Sequence, residues 1–169
     1  AIGWTSWYYY YTNISEKIIE DNLNAFVSNN VPIEIFQIDD GWQKSVGDWL
    51  HFNEKFPNGL SLLVEKIHHK NIKAGLWLAP LACEHNSFIV KEKPDWILKD
   101  DKGRFLKIGF NPMWSYWFYA LDVYNEEVRL YLKKVFHTIL NEWNFDLVKL
   151  DFLYGTALVA RNGKSRGQI

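Results

Sequence analysis

Three short apolar runs, IEIFQI (33–38), KAGLWLAP (73–80) and FDLVKLDFLY (145–154), each follow a stretch whose apolar residues recur at helical spacing. Continuous apolar runs of this length read as buried strands. Ahead of the first, Ile18, Ile19, Leu23, Phe26 and Val27 share a helical face, with Ser15 as N-cap. Ahead of the second, Leu62, Leu63 and Ile67 do the same, in a helix opened by Asn58-Gly59 and ending near Asn71. Ahead of the third, Val128, Leu132, Val135, Ile139 and Trp143 follow a cap at Asn125. The aromatic run Trp7 to Tyr11 predicts one further strand at the start of the chain. Strands alternating with helices pair in parallel through right-handed crossovers. The fold class is therefore α/β.

The segment from about 81 to 124 is too long for a plain loop. Within it, DWILKDDKGRFLKIG predicts a hairpin turning at Asp101-Lys102-Gly103. Long insertions after a strand's C-terminal end are where barrel enzymes build substrate pockets. A closed (β/α)8 barrel needs about 250 residues, and the chain has 169. The expectation is one domain over 1–169 that forms a partial (β/α)8 TIM barrel of about the first four βα units. The tail ALVARNGKSRGQI would begin a fifth crossover, with the rest of the barrel after 169. A small open α/β sheet is the competing architecture.

Composition narrows the function classes. The formal net charge of -1 offers no basic stripe for nucleic acid. No apolar run approaches a membrane span, and the first residues have no signal-peptide pattern, so a cytoplasmic location is the expectation. The single cysteine, Cys83, cannot form an internal disulfide, and only His85 stands near it as a partner for nucleophilic chemistry. There is no HExxH, no phosphate-cradling glycine loop and no GxSxG, and adjacent His68 and His69 cannot face one site from a helix. No metal or cofactor is expected, and those histidines read as solvated. The unusual feature is aromatic content, 17% with nine tryptophans. Aromatic faces fill cores and also make platforms for the C–H faces of sugars.

Chemistry-bearing residues gather at the predicted C-terminal strand ends, the rim where parallel α/β folds bind ligands. Trp7 lies on the first strand, Asp39-Asp40 end the second, Trp77 lies on the third, and Lys149 and Asp151 on the last. Lys149 and Asp151 are two apart and so share a strand face, where mutual attraction favours both charged forms. An ionised, positioned carboxylate suits a nucleophile or the stabilisation of an oxocarbenium ion. A buried pair that only holds strands in register fits the same spacing. Of the Asp39-Asp40 pair, one carboxylate can accept from vicinal hydroxyls and the other can orient a neighbour. Asp-Gly is equally a common turn pair. The GDW at 47–49 and the Trp114–Trp117 pair read as loop aromatics, for ligand binding or for packing over the rim.

In order along the chain, GWTSWYYYY, FQIDDGWQ, GDW, GLWLAP, PDWILK, YALDV and KLDFLYG resemble the catalytic barrel of glycoside hydrolase family 36. That family comprises retaining α-galactosidases and raffinose-synthase-like relatives. The resemblance implies Asp151 as the nucleophile and Lys149 as a sugar contact. It implies Asp39 and Asp40 as binders of galactose hydroxyls, with Trp77 and Trp7 walling the pocket and Trp4 the alternative in the first motif. It implies an α-galactoside substrate and no cofactor. The family's acid/base aspartate lies on a later strand, past the last residue here, so the 169 residues alone are expected not to turn over galactosides. Transfer of galactose to a sugar acceptor and a non-catalytic sugar-binding half barrel are the alternatives. Exposed half-barrel edges invite pairing, so the isolated chain is expected to form a homo-oligomer.

Overall fold

The computed structural model describes residues 1–158, which fall into two compact units. The first comprises Ala1–Lys44, Leu50–Leu78 and Val135–Lys149; the second comprises Ser45–Trp49, Ala79–Lys134 and the chain from Leu150 onward. Among the described residues no helix is long and apolar enough to cross a membrane. The expected fifth crossover falls largely on 159–169, outside the described residues.

The first unit is built on a sheet of β1 (Gly3–Thr5), β2 (Ile35–Ile38), β3 (Lys73–Leu78) and β7 (Leu147–Leu150), in the order β1-β2-β3-β7. β1 pairs parallel with β2, and β2 parallel with β3, as the alternating pattern predicts. Alternation along β2 divides two faces. Phe36 and Ile38 are fully buried. Phe36 stacks on Trp4 at 4.3 Å and meets Phe26 of α2 (Glu16–Ser28) edge-on at 6.4 Å, so this is the helix-facing side. The opposite face carries Thr5, Gln37 and Gly75, which are in register across β1, β2 and β3. Gly75 leaves room there for Leu147, whose Cδ1 lies 3.0 Å from where a Cβ would stand.

Helix signals in the sequence correspond to physical caps. The Ser15 side chain accepts from Ile18 N–H and opens α2, burying Ile19 and Leu23. α3 (Ser61–His68) buries Leu63, Val64 and Ile67. The Asn125 side chain accepts from Glu127 N–H at the start of α5 (Glu126–His137), which runs on into a π turn over Thr138–Glu142.

The predicted strand Trp7–Tyr11 is not a strand. β1 ends at Thr5 because Ser6 adopts helical angles, and Trp7–Tyr10 form one turn of helix, α1. Ser6 is fixed there by two contacts to β2's end: its N–H donates to Gln37 C=O, and its Oγ accepts from Asp39 N–H. Strand propensity in WYYYY yields to that tertiary constraint. The last strand is also shorter than predicted, stopping at Leu150.

The second unit holds the long insertion. β4 (Ala82–Glu84), β5 (Lys107–Asn111) and β6 (Tyr116–Ala120) form an antiparallel sheet in the order β4-β6-β5, and α4 (Phe88–Glu92) follows β4. The predicted turn at 101–103 exists: Gly103, at φ 74°, donates to Asp100 C=O, and Lys99 bridges Phe105. The main strand pairing of β5 is with β6, which the sequence pattern missed. A core of Cys83, Ile89, Trp96, Ile97, Tyr119, Leu121 and Val128 holds the unit together.

Candidate active site

The C-terminal ends of β1, β2 and β7 bring a charged cluster together in the first unit. Asp39 is only 1% exposed, and its carboxylate is heavily engaged. Oδ2 accepts from Lys149 Nζ at 3.0 Å, Gln37 Nε2 at 2.8 Å and Thr5 Oγ1 at 3.3 Å. Oδ1 accepts from the Asp40 N–H at 3.0 Å. Burying a carboxylate is tolerable only with such compensation. The Lys149 side chain remains 40% exposed while its ammonium is anchored on Asp39.

Asp40, equally buried, accepts from Gln43 Nε2 at 2.7 Å. The loop that carries it is tied down by Asn53, whose amide donates to Gly41 C=O at 2.6 Å and to Gln43 C=O at 3.2 Å. Gly41 has φ 118°, and a Cβ there would stand 2.5 Å from the Thr12 carbonyl oxygen. The turn reading of Asp39-Asp40-Gly41 fits this bend, which carries two buried acids. Lys55 is a nearby cation. Burial pushes its pKa down while Asp40 and Glu54 pull it back up, and its Nζ donates to Thr12 C=O at 2.8 Å.

The aromatic candidates separate. Trp4 belongs to the helix-facing core of the sheet, in its stack on Phe36. Trp7, half-buried at the start of α1, meets Tyr11 edge-on at 5.4 Å, just past the C-terminal end of β1. Trp77 is 2% exposed, and its carbonyl accepts from Trp42 Nε1 at 3.1 Å.

Asp151 belongs to the second unit, directly after β7. Its Oδ1 accepts from the Phe152 N–H at 2.9 Å, and Phe152 has φ 53°, so the chain turns sharply at the acid. The side chain is half-buried. Lys149 and Asp151 are not on one continuous strand as predicted, since β7 ends between them.

Several loop aromatics are packing residues. Trp49 of GDW is fully buried, and Asp48 Oδ1 accepts from the Phe88 N–H at 2.9 Å. Trp114 is 2% exposed, with Phe118 and Phe152 against it. Trp117 lies on β6 rather than in a loop, 42% exposed, with Lys107 Nζ 4.4 Å above its ring. His68 is not simply solvated; its Nε2 lies 2.8 Å from Asp146 Oδ2. Cys83 is fully buried, and burial pushes its thiol pKa up, away from nucleophilic use. Among the described residues no group of three or more His, Cys, Asp or Glu could hold a metal ion.

Sequence reasoning missed Thr5, Ser6, Gln37, Gln43 and Asn53. The available signal was Gln37, a polar residue inside IEIFQI two positions before Asp39 and therefore on its face.

Known proteins share this arrangement of elements. The chain is 31% identical over 141 residues to alpha-galactosidase Mel36A of Lactobacillus acidophilus, covering 78% of this chain and 18% of that protein. It is 27% identical over 156 residues to alpha-galactosidase 1 of Pediococcus pentosaceus, covering 88% of this chain and 20% of that one. The chain thus spans about a fifth of these relatives' length. The structure of TtGalA, an alpha-galactosidase from Thermus thermophilus in complex with p-nitrophenyl alpha-D-galactopyranoside, superposes with a TM-score of 0.85 at 41% identity, covering 93% of this chain and 32% of that one. The Melibiase family model matches residues 3–164, nearly the whole sequence, and the chain belongs to that family.

Proposed function

We propose that this chain carries the nucleophile half of a retaining α-galactosidase site, on the opening strands of a (β/α)8 barrel. The observation that carries this reading is the buried Asp39 that fixes a half-exposed Lys149 at 3.0 Å, two residues before Asp151. A carboxylate and a cation delivered side by side at strand ends suit a polyhydroxylated ligand whose anomeric carbon becomes positive in the transition state.

Asp151 attacks C1 of a terminal α-galactose, and the C1–O bond to the leaving group breaks. A carboxylic acid elsewhere in the full-length protein protonates the departing oxygen. The β-galactosyl ester on Asp151 is then opened by water, which the same acid group, now a base, deprotonates. Two inversions give net retention, and the geometry calls for about 5–5.5 Å between the two carboxyl groups. Lys149, Asp39 and Asp40 hold the sugar's hydroxyls, Asp39 mainly by orienting Lys149. A site that pairs with a hydroxyl discriminates strongly against ligands lacking it. Trp7 and Trp77 supply apolar walls.

The test is turnover of p-nitrophenyl α-galactoside by the full-length protein, with the β-galactoside and α-glucoside as controls and the first product anomer read by NMR. Release of α-galactose is expected. Inversion, or no preference for the α-galactoside, would remove the reading.

A further inference from the structure

We propose that Gln37 and Thr5 are positioning residues that act through Asp39 on Lys149 and Asp40. The inference rests on the galactosidase reading above and assigns roles to two side chains outside the set of sugar contacts.

Lys149 lies on β7 and Asp39 directly follows β2, and these strands are not neighbours because β3 lies between them. A lysine spanning that gap has many rotamers, and its head is held where the acceptor oxygen stands. That oxygen is Asp39 Oδ2, whose position depends on the rotamer of Asp39. Thr5 and Gln37 fix it. Gln37 Nε2 donates to Asp39 Oδ2 at 2.8 Å and to Thr5 Oγ1 at 3.1 Å, and Thr5 Oγ1 donates to the same Oδ2 at 3.3 Å. An ionised carboxylate is acceptor-only, so it is the Gln37 nitrogen that must face it, and the Thr5 hydroxyl hydrogen has one direction left. The triangle is closed, with donors and acceptors matched.

Two consequences follow from that closure. Oδ2 already takes three donors, so its position is fixed before any ligand arrives. An effect of Asp39 on a ligand then passes through Lys149, whose ammonium has two further N–H donors on a side chain that is 40% exposed. It also passes through Asp40, because Oδ1 of Asp39 accepts from the Asp40 N–H at 3.0 Å and sets the start of that residue. One network thus orients both groups meant to meet the ligand, from three strands at once. Register supports this placement, since Thr5 is the partner of Gln37 across β1 and β2.

The experiment uses the full-length protein and three variants: Gln37→Met, Thr5→Val and Thr5→Ser. It measures kcat and KM for p-nitrophenyl α-galactoside, Ki for galactose and the thermal midpoint. Gln37→Met and Thr5→Val are expected to weaken galactose binding by about tenfold or more, the size of one charge-assisted hydrogen bond. KM should rise more than kcat falls. Thr5→Ser restores the hydroxyl and should recover most of the affinity that valine loses. If Gln37→Met does not fold, the serine–valine pair decides alone. Unchanged Ki in the folded variants would overturn the proposal, as would equal losses in Thr5→Ser and Thr5→Val. In either case an active wild type leaves the hydrolase reading standing. A folded wild type without galactosidase activity would sink both.

Discussion

Lys149 Nζ and Asp39 Oδ2 meet at 3.0 Å although β3 separates β7, which carries Lys149, from β2, which Asp39 directly follows. The acid is buried and the base is half-exposed, so the pair is a fixed cation presented to solvent rather than an ordinary surface ion pair. Removing Lys149 leaves the buried Asp39 carboxylate without its cation, and removing Asp39 leaves Lys149 without its anchor. Asp39→Asn is expected to lower kcat/KM of the full-length protein for α-galactosides by at least about 100-fold, which corresponds to about 2.7 kcal/mol. Lys149→Met should lower it comparably, and the double variant should fall short of the summed losses. Strict additivity in the double-mutant cycle would show that the two do not act together.

Gly41 holds the loop that delivers Asp40. At φ 118° an L-residue is strained, and a methyl group would press on the Thr12 carbonyl at 2.5 Å. Gly41→Ala is expected to cost about 1–3 kcal/mol and to raise KM as Asp40 shifts. A thermal midpoint equal to wild type would contradict the tight packing described here.

Phe36 anchors the helix-facing side of the sheet, fully buried between Trp4 and Phe26. Phe36→Ala is expected to destabilise the protein by about 3–5 kcal/mol, read from urea unfolding. A loss under 1 kcal/mol would mean that α2 does not depend on this contact.

Asp146 ties β3 and α3 to the entry of β7. Its Oδ2 accepts from Ala74 N–H at 2.7 Å and lies 2.8 Å from His68 Nε2. Burial pushes its pKa up, but the Ala74 hydrogen bond and His68 outweigh that, and the net shift is downward. A carboxyl with a depressed folded pKa contributes stability that is present above its unfolded value of about 3.9 and lost as pH falls through the folded value. Asp146→Asn should therefore flatten the acid side of the stability curve below about pH 4. The pair is partly exposed, so the loss at neutral pH should stay near 1 kcal/mol. An unaltered acid limb would show that another carboxyl governs it.

The helices and the parallel strands were legible because their signals are local. The Ser15 and Asn125 caps, and Phe36 and Ile38 alternating with Gln37, survive any tertiary context. The first strand was misplaced because its end is set by Ser6 reaching Asp39 and Gln37, across a gap of over thirty residues. The β4-β6-β5 sheet was invisible for a similar reason, since β4 and β6 pair across a long insertion with α4 and β5 inside it. Charged candidates at strand ends were legible as a set. The contact of Lys149 with Asp39 was not, because it joins residues 110 positions apart.

The most direct measurement is chemical rescue of Asp151→Gly in the full-length protein. Turnover of p-nitrophenyl α-galactoside should fall by several orders of magnitude, and azide should restore it with β-galactosyl azide as product, because azide enters the face from which the carboxylate attacked. Retained activity without azide, or formation of the α-azide, would contradict the assignment of Asp151 as the nucleophile.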